Sequence, residues 1–375
     1  MKKIHDLKIA LVHDYMTVGG GAEKVLLYLH ELFPKAPIYT TVYFPDKCWP
    51  QFKSADVRQS FISKFPLKRL FFHQYKLFYY MAMERFDLSK YDLVISSTAA
   101  GYGNAIITAP NSLQVTYAHN VPRYLWHLPT ALHGTLWKGW EKLILPPLEH
   151  YWRIQDRLAS ERPDYIIANS KVTQRRISKY YRRDSTVVYP PVELDRFLEN
   201  PVKKGNYFCY FGRIEKYKNI DMAIRACVLN KQKLKIVGGG DYEKTLKDLV
   251  VELKAEKLVE FLGKAPDKEL EEVVGGSMGF IFPGVSEEFG IVLVEALAAG
   301  KPVVAFESVA SKEIIQHGKT GLLVKEFSVD ALAKAMKQMK SKRFSPQDCR
   351  KRAKKFGIEV FKKGITNTIE EWLND

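Results

Sequence analysis

The chain has no apolar run long enough to cross a membrane. A membrane-spanning helix needs about 18 or more consecutive apolar residues, and no such run occurs among the 375 residues. The short apolar segment near the N-terminus is interrupted by His13 and Asp14. We therefore interpret it as a first β-strand rather than a signal peptide. The length suffices for two domains with separate cores.

Cysteine is scarce, and its spacing argues against two kinds of site. The four cysteines lie far apart, without a Cys-x-x-Cys pair or a Cys/His cluster. The pattern indicates neither a disulfide framework nor a zinc site, and it fits a reducing cytoplasm. The residues are Cys48, Cys209, Cys227 and Cys349.

Acidic residues are too few to balance the basic ones, and the imbalance lies mainly in the first half. The net charge is +16. Residues 1–190 carry 26 Lys and Arg against 15 Asp and Glu, whereas the remainder carries 32 against 27. A basic surface suits nucleic acid, an anionic membrane or an acidic substrate. A solvated surface without a partner is the alternative.

The first half opens with the pattern of a doubly wound α/β domain. A short apolar strand leads through three glycines into a helix predicted from about Ala22 to Phe33. Gly20 and Gly21 would let the backbone approach a ligand, and the start of the helix favours phosphate. A tight turn between strand and helix also needs glycine, so the loop alone does not identify a ligand.

Two stretches of the first half combine aromatic and basic residues. Residues 61–85 interleave aromatic residues with Lys68, Arg69 and Lys76. This pattern fits a helix packed on the domain, and it also fits a surface that contacts anionic lipid. Binding of single-stranded nucleic acid ranks third, because no RNA-binding signature accompanies the stretch. In the second stretch, a helix is predicted over 135–144 and is broken at Pro146–Pro147.

A histidine follows a predicted strand in the middle of the first half. His119 comes directly after the strand and begins a segment that includes Arg123 and Trp126. Open α/β sheets bind ligands at the carboxyl ends of their strands. His119 is therefore a candidate ligand contact, and a purely structural histidine is the alternative.

The second half restarts with a strand that is followed by two cations. Arg213 and Lys218 lie five positions apart and can converge on one diphosphate, Arg through its planar fork and Lys as a point charge. Solvated surface residues are the alternative. Gly239 lies in a three-glycine loop after the next strand, and Lys264 follows a third strand.

The segment 287–300 predicts a loop and then a buried helix. Residues 291–299 are apolar except for Glu295, and a helix that is apolar all round is buried. Glu287 precedes the helix start, which suits an anion. Because a buried carboxylate needs a partner, we expect a phosphate-bearing ligand whose hydroxyls contact both carboxylates. The alternative is that Glu295 pairs with a Lys or Arg elsewhere in the chain.

Two motifs of this chain resemble those of the retaining glycosyltransferases of family 4. One is Glu-x7-Glu, from Glu287 to Glu295, and the other is Gly-Arg-x4-Lys-Asn around Arg213. That family has the α/β GT-B fold, with two Rossmann-like doubly wound domains facing a cleft. The resemblance covers nearly the whole chain. It implies an acceptor-binding domain at 1–195, a nucleotide-sugar-binding domain at 196–358 and a helix at 359–375 that crosses back to the first domain.

The resemblance also implies a role for each motif. The first Glu binds hydroxyls of the donated sugar and the second binds the ribose, whereas the Arg and Lys hold the diphosphate and the His lies beside the transferred sugar. The implied catalytic residues are His119, Arg213, Lys218 and Glu287. The implied donor contacts are Gly20, Gly21, Arg213, Lys218, Gly239, Lys264 (near the base), Glu287, Phe289, Gly290, Ile291 and Glu295. The candidate acceptor or membrane contacts are Lys68, Arg69, Lys76, Arg123 and Trp126.

The segment from His119 to Trp126 is similar to bacterial mannosyltransferases of surface-polysaccharide synthesis. This similarity implies transfer of mannose from GDP-mannose to a lipid-linked or polysaccharide acceptor. Together with the basic and aromatic first half, it predicts an enzyme at the cytoplasmic face of an anionic membrane. The family implies retention of configuration without a metal or other cofactor, and the sequence has no Asp-x-Asp motif. A UDP-sugar-dependent glucosyl- or galactosyltransferase is the alternative. A non-enzymatic nucleic-acid-binding protein is a remote one.

Overall fold

The chain divides into two compact units. The computed structural model describes residues 4–72, 74–126, 141–199 and 205–374. One unit consists of Met1–Pro191 with Glu359–Asp375, and the other consists of Val192–Ile358. The division after Pro191 lies slightly before the position predicted from the sequence.

The first unit is built on a parallel sheet of seven strands. The order is β3-β2-β1-β4-β5-β6-β7, so the chain reverses its direction of winding between β1 and β4. Both central strands are fully buried, as the apolar runs require. The strands are β1 Ile9–His13, β2 Ile38–Thr40, β3 Val57–Gln59, β4 Leu93–Thr98, β5 Leu113–Ala118, β6 Tyr165–Ala168 and β7 Thr186–Val187.

The helices of the first unit differ from the prediction at two places. They are α1 Gly21–Leu32, α2 Lys68–Phe71, α3 Tyr79–Glu84, α4 Glu141–Ala159 and α5 Lys171–Tyr181, with 3-10 turns at Ile4–Asp6, Pro50–Ser54, Phe61–Lys64, Gln74–Phe78 and Tyr102–Ala105. Residues 61–72 and 74–85 form several short helical pieces, not one packed helix. Helical structure is interrupted there at Pro66 and at Leu67, whose φ of 47° is left-handed.

The helix that should have been broken at two prolines runs through them. Pro146 and Pro147 lie inside α4, whereas the predicted start of this helix, residues 135–140, falls outside the described residues. A proline removes a backbone donor but does not forbid a helix whose later turns are packed. Here Trp152, Asp156 and Ala159 are buried on the inner side of α4.

The second unit repeats the architecture on a parallel sheet of six strands in the order β10-β9-β8-β11-β12-β13. The strands are β8 Tyr207–Phe211, β9 Lys233–Val237, β10 Val259–Gly263, β11 Gly279–Phe282, β12 Val303–Phe306 and β13 Gly321–Val324. The helices are α6 Asp195–Leu198, α7 Ile220–Leu229, α8 Glu243–Glu252, α9 Asp267–Gly275, α10 Ile291–Ala298, α11 Val309–Ile314, α12 Val329–Ser341 and α13 Pro346–Ala353, with 3-10 turns at Lys216–Lys218 and Lys354–Phe356.

The last helix packs on the first unit. This helix, α14 (Ile358–Trp372), buries Phe361, whose ring meets Tyr117 of β5 edge-on at 5.7 Å. Trp372 stacks on Tyr165 of β6 at 4.3 Å. The C-terminal segment therefore completes the core of the first unit, on the side of the sheet that contains β5 and β6.

Candidate functional site

The second sheet changes its winding direction between β8 and β11, which is where open α/β sheets bind ligands. The loops at this edge approach each other closely. A Cβ on Gly238, after β9, would lie 1.9 Å from the carbonyl oxygen of Gly212, after β8. Both glycines have left-handed φ angles, 134° and 136°. Only glycine fits this packing, so these two loops form a close-fitting floor at the carboxyl edge.

Gly239 and Lys264 come together at the same edge. A Cβ on Gly239 would lie 3.4 Å from Cε of Lys264, which follows β10. The lysine side chain thus lies over the glycine loop. Both residues were predicted donor contacts, and the structure places them side by side.

Lys218 and Glu287 form an ion pair at the switch point. Lys218 Nζ donates to Glu287 Oε1 across 69 residues of sequence. The two side chains are only 11% and 14% exposed. Lys218 follows β8 through a 3-10 turn, and Glu287 lies in the loop between β11 and α10. Two of the predicted site residues are therefore in direct contact.

The loop that carries Glu287 ends at the start of α10. Phe289 is 4% exposed and packs edge-on against Phe356. Gly290 caps the helix in a left-handed conformation (φ 91°), and no side chain of the described residues supplies the cap. The first amides of α10 are therefore not capped by a side chain, and they can serve an anion. Most of α10 is buried, as predicted, but its first residue, Ile291, is 38% exposed.

Arg213 lies at the surface. Its side chain is 69% exposed, and its guanidinium pairs with Glu215 at 2.6 Å and contacts the Tyr217 hydroxyl at 3.3 Å. The sequence predicts that Arg213 and Lys218 converge on one diphosphate. In this structure each cation is instead engaged by a different carboxylate. The sequence analysis did not identify Glu215 as a partner of Arg213, although it follows that arginine by only two positions.

Glu295 pairs with an arginine that the sequence analysis did not identify. Arg196 Nη2 donates to Glu295 Oε1 at 2.8 Å, and the Glu295 side chain is 13% exposed. This is the alternative stated above, in which a cation elsewhere in the chain satisfies the carboxylate. Arg196 therefore explains the burial of Glu295 without a ligand. The buried carboxylate is no longer evidence that a ligand binds there. No sequence signal connected two residues 99 positions apart.

In the first unit, the winding reverses between β1 and β4, and Asp14 organises that point. Its buried carboxylate accepts hydrogen bonds from Thr98 Oγ1 at 2.7 Å and from the amides of Ala99, Ala100 and Gly103 at 2.7–2.8 Å. The loop after β4 is thus folded around one side chain. Asp14 was missed as a site residue, although it directly follows β1.

His119 lies at the end of β5, beside this loop. Its Nε2 is 2.8 Å from Ser97 Oγ, and the Tyr117 ring meets it edge-on at 5.2 Å. Burial, reinforced by nearby His13, lowers the pKa of His119 to about 3. The imidazole is therefore neutral near pH 7. His13 is 2% exposed, and its Nδ1 has no hydrogen-bonding partner within the described part of the chain.

Gly20 and Gly21 differ in the space around them. A Cβ on Gly20 would lie 2.7 Å from Glu23 Oε2, whereas a Cβ on Gly21 would meet no atom of the described residues within 4 Å. Glu23 is buried, and burial raises the pKa of its carboxyl. Gly20 is thus enclosed by its own helix, and Gly21 faces open space.

Trp126 is held by the interior of the first unit. Its indole N–H donates to Asp156 Oδ2 at 2.8 Å, and its ring lies 4.9 Å from that of Tyr180. Asp156 is fully buried, and burial raises the pKa of its carboxyl to about 7. Arg123 is half-buried near Tyr15. These contacts give Trp126 a packing role that the prediction of an acceptor contact did not include.

The three predicted membrane-contacting cations all have partners inside the protein. Lys68 donates to the Ser63 carbonyl at 2.6 Å, and Arg69 pairs with Asp46 at 2.6 Å. Lys76 is half-buried over the Tyr124 ring, and burial lowers its pKa. Several apolar side chains beside them are exposed: Leu67, Leu70, Phe71, Leu77 and Met81.

Two family models match the chain, one on each half. The model described as Glycosyltransferase Family 4 matches residues 19–196, and the model described as Glycosyl transferases group 1 matches residues 192–356. The chain belongs to the glycosyltransferases of family 4. The prediction that the chain is a glycosyltransferase is thereby confirmed.

Curated relatives of this glycosyltransferase include mannosyltransferases at low identity. The chain is 26% identical to O-antigen chain mannosyltransferase RfbU of Salmonella typhimurium over 45% of its own length and 49% of that protein. It is 23% identical to mouse alpha-1,3/1,6-mannosyltransferase ALG2 over 86% and 85% of the two chains. It is 29% identical to a GDP-mannose-dependent phosphatidylinositol monomannoside mannosyltransferase of Mycobacterium tuberculosis over 47% and 52%. The match thus spans about half the length of RfbU and of the mycobacterial protein.

Solved structures share the fold. The lipopolysaccharide outer core galactosyltransferase WaaB aligns with a TM-score of 0.72 at 16% identity, over 97% of this chain and 99% of that one. The Anabaena protein HepE in complex with UDP aligns with a TM-score of 0.70 at 19% identity, over 97% and 100%. The GT-B assignment of the glycosyltransferase is therefore confirmed. In the described part of the chain, no helix is both long enough and apolar enough to span a bilayer.

Proposed function

We propose that this glycosyltransferase transfers an α-mannosyl group from GDP-mannose to a lipid-linked or polysaccharide acceptor, with retention of configuration and without a metal. The observation that carries the proposal is the Lys218–Glu287 pair beside the start of α10, at the switch point of the second sheet. Lys218 offers a cation for phosphate, and Glu287 offers a carboxylate for sugar hydroxyls. The first amides of α10 add donors for an anion. The mannosyltransferases among the relatives favour mannose.

The reaction breaks the bond between the sugar C1 and a phosphate oxygen and forms a bond from C1 to an acceptor oxygen. Negative charge grows on the leaving diphosphate, and Lys218, Arg213 and the first amides of α10 would stabilise it. The acceptor attacks on the side from which the diphosphate departs, and its proton passes to a phosphate oxygen. This route retains the configuration without a protein nucleophile.

In the structure Glu215 and Glu287 hold Arg213 and Lys218, respectively. Binding of the diphosphate would therefore exchange partners: Lys218 moves from Glu287 to phosphate, and Glu287 becomes available to the sugar hydroxyls. Arg213 is exposed, and the partners of its guanidinium among the described residues are Glu215 and Tyr217, so it can swing to the ligand at little cost.

The proposal is tested by incubating the purified protein with GDP-mannose, UDP-glucose and UDP-galactose, each with and without EDTA. We expect turnover of GDP-mannose, inhibition by GDP but not by UDP, and no effect of EDTA. Inhibition by UDP alone would favour the UDP-sugar enzyme, whose fold-level counterpart is the UDP complex of HepE. Neither binding nor turnover of any donor would refute the proposal.

We also propose that the enzyme acts at the anionic, cytoplasmic surface of a membrane. The exposed apolar residues around α2 lie next to Lys64 and Lys68, and they suit an interface of acyl chains and anionic headgroups. The double substitution Leu67→Asp and Leu70→Asp should reduce flotation with vesicles containing anionic lipid. Lys76→Gln should not, because that lysine is half-buried over Tyr124. Unchanged flotation of the double variant would exclude this surface.

A further inference from the structure

Arg196 of α6 connects two acidic residues from different parts of the second unit. Its Nη2 donates to Glu295 on α10 at 2.8 Å, and its Nη1 donates to Asp267 at the start of α9 at 2.8 Å. The guanidinium carbon also lies 4.6 Å from the centre of the Phe197 ring. These contacts fix the guanidinium between α9 and α10.

The two ion pairs of Arg196 lie in different surroundings. The Glu295 side chain is 13% exposed, whereas that of Asp267 is 78% exposed. A charged hydrogen bond shielded from water is stronger and better defined than one at the surface. Of these two pairs, the one with Glu295 is therefore the stronger, and Asp267 contributes less.

We propose that Arg196 is a positioning residue that holds Glu295 in place for the ribose of the bound nucleotide. The proposal rests on the proposed function and on the family resemblance, which implies that Glu295 contacts the ribose. A carboxylate has about four acceptor positions, so contact with the guanidinium does not exhaust its capacity. The planar guanidinium also restricts the carboxylate to one orientation. Glu295 then loses less side-chain entropy when a ribose hydroxyl binds.

This role predicts that the effect of Arg196 depends on the ribose hydroxyls. Binding of GDP and UDP is measured by isothermal titration calorimetry, each nucleotide also in its 2′-deoxy and 3′-deoxy forms. The wild-type protein should bind the ribonucleotide about tenfold or more tightly than at least one deoxy form, as expected for a hydrogen bond to a charged group. Arg196→Met should lose about that factor for the ribonucleotide and less than about twofold for that deoxy form.

Three further variants separate positioning from general damage. Arg225→Met makes the same chemical change at an exposed arginine of α7 and should leave every affinity unchanged. Asp267→Asn should preserve the preference for ribose. In a Glu295→Gln background, Arg196→Met should have no additional effect, because the two residues act as a unit. Should Arg196→Met fail to fold, as judged by thermal melting, Arg196→Lys replaces it and should show a smaller loss confined to the ribonucleotide.

Equal weakening of ribo and deoxy ligands would overturn the proposal, because Arg196 would then act elsewhere or only on the fold. Tighter ribonucleotide binding by Arg196→Met would also overturn it, since Arg196 would then compete with the ligand for Glu295. If the wild-type protein binds no nucleotide, the proposed function itself fails and this inference fails with it. The two failures are therefore distinguishable.

Discussion

The switch points of the two sheets hold their polar residues by different means. In the first unit, Asp14 is surrounded by backbone amides and a hydroxyl, and His119 is neutral and bonded to Ser97. In the second unit, the pairs are side chain to side chain, as between Lys218 and Glu287. Backbone donors cannot leave without unfolding their loop, whereas side chains exchange partners by changing rotamer. The first arrangement is preorganised, and the second can rearrange around a ligand.

The largest effect on activity is expected at the exchangeable pair. Lys218→Met should lower kcat/KM by roughly 10²–10³, the loss typical of removing one group that stabilises developing charge. Steady-state kinetics measure it, and thermal melting reports on folding, because Glu287 loses its partner. Lys216→Met, which changes an exposed lysine two residues away, is the control. Activity within about threefold of wild type would show that Lys218 does not stabilise the transition state. A tenfold change corresponds to about 1.4 kcal/mol, so a threefold change is too small for such a group.

Substitution of Asp14, at the preorganised switch point of the first unit, should lower the stability of the protein. Asp14→Asn places an amide N–H₂ group against several N–H donors, so it should lower the free energy of unfolding by about 2–3 kcal/mol. Urea denaturation measures this value. Asp87→Asn is the matched control, because Asp87 is exposed and its hydrogen bonds within the described part of the chain are to the neighbouring Ser89. A loss below about 0.5 kcal/mol, the range of ordinary surface substitutions, would show that the loop after β4 does not depend on Asp14.

A smaller effect is expected at the glycine loop of the first unit. Gly21→Ala should leave the melting temperature unchanged or slightly raised, because the new methyl group meets open space and alanine favours helix. If a ligand approaches this backbone, the same methyl group should reduce kcat/KM by roughly tenfold. Gly20→Ala is the comparison, since there the methyl group meets Glu23 inside the protein. Full activity of Gly21→Ala would place the ligand elsewhere.

The last effect concerns the protonation of His119 and does not appear near neutral pH. Its folded pKa of about 3 lies below the ordinary value of about 6.5. The stability it contributes is therefore complete above about pH 6.5 and is lost as the pH falls towards 3. His119→Gln should flatten the decline of melting temperature between pH 6.5 and 4. An imidazole NMR signal that titrates near pH 6.5 would contradict this.

Much of the architecture could be predicted from sequence because it depends on short-range patterns. The apolar strands followed by glycines and helices indicate two doubly wound domains, and α1 begins within one residue of its predicted start. Glycine positions were informative because a backbone conformation is local. The helical pieces between Phe61 and Glu84 were less predictable, since aromatic side chains pack inward in several directions there.

Glu295 shows where such reasoning ends. Its solitary position in an apolar helix indicated correctly that the carboxylate needs a partner, but it could not say whether the partner is a ligand or Arg196. Family membership, and not the burial of Glu295, now supports the enzyme class. The nucleotide role of Glu295 remains a prediction that the deoxyribose experiment addresses.

The sequence alone determined the fold class, the enzyme family and the spacing of the two glutamates, because these depend on residues within one or two elements. Only the tertiary structure decided which charges meet: Arg196 with Glu295, Lys218 with Glu287, and Asp14 with the loop after β4. The physical reason is that a charge pairs with whatever lies within a few ångströms. That neighbour is set by how strands far apart in the chain are ordered in the sheet.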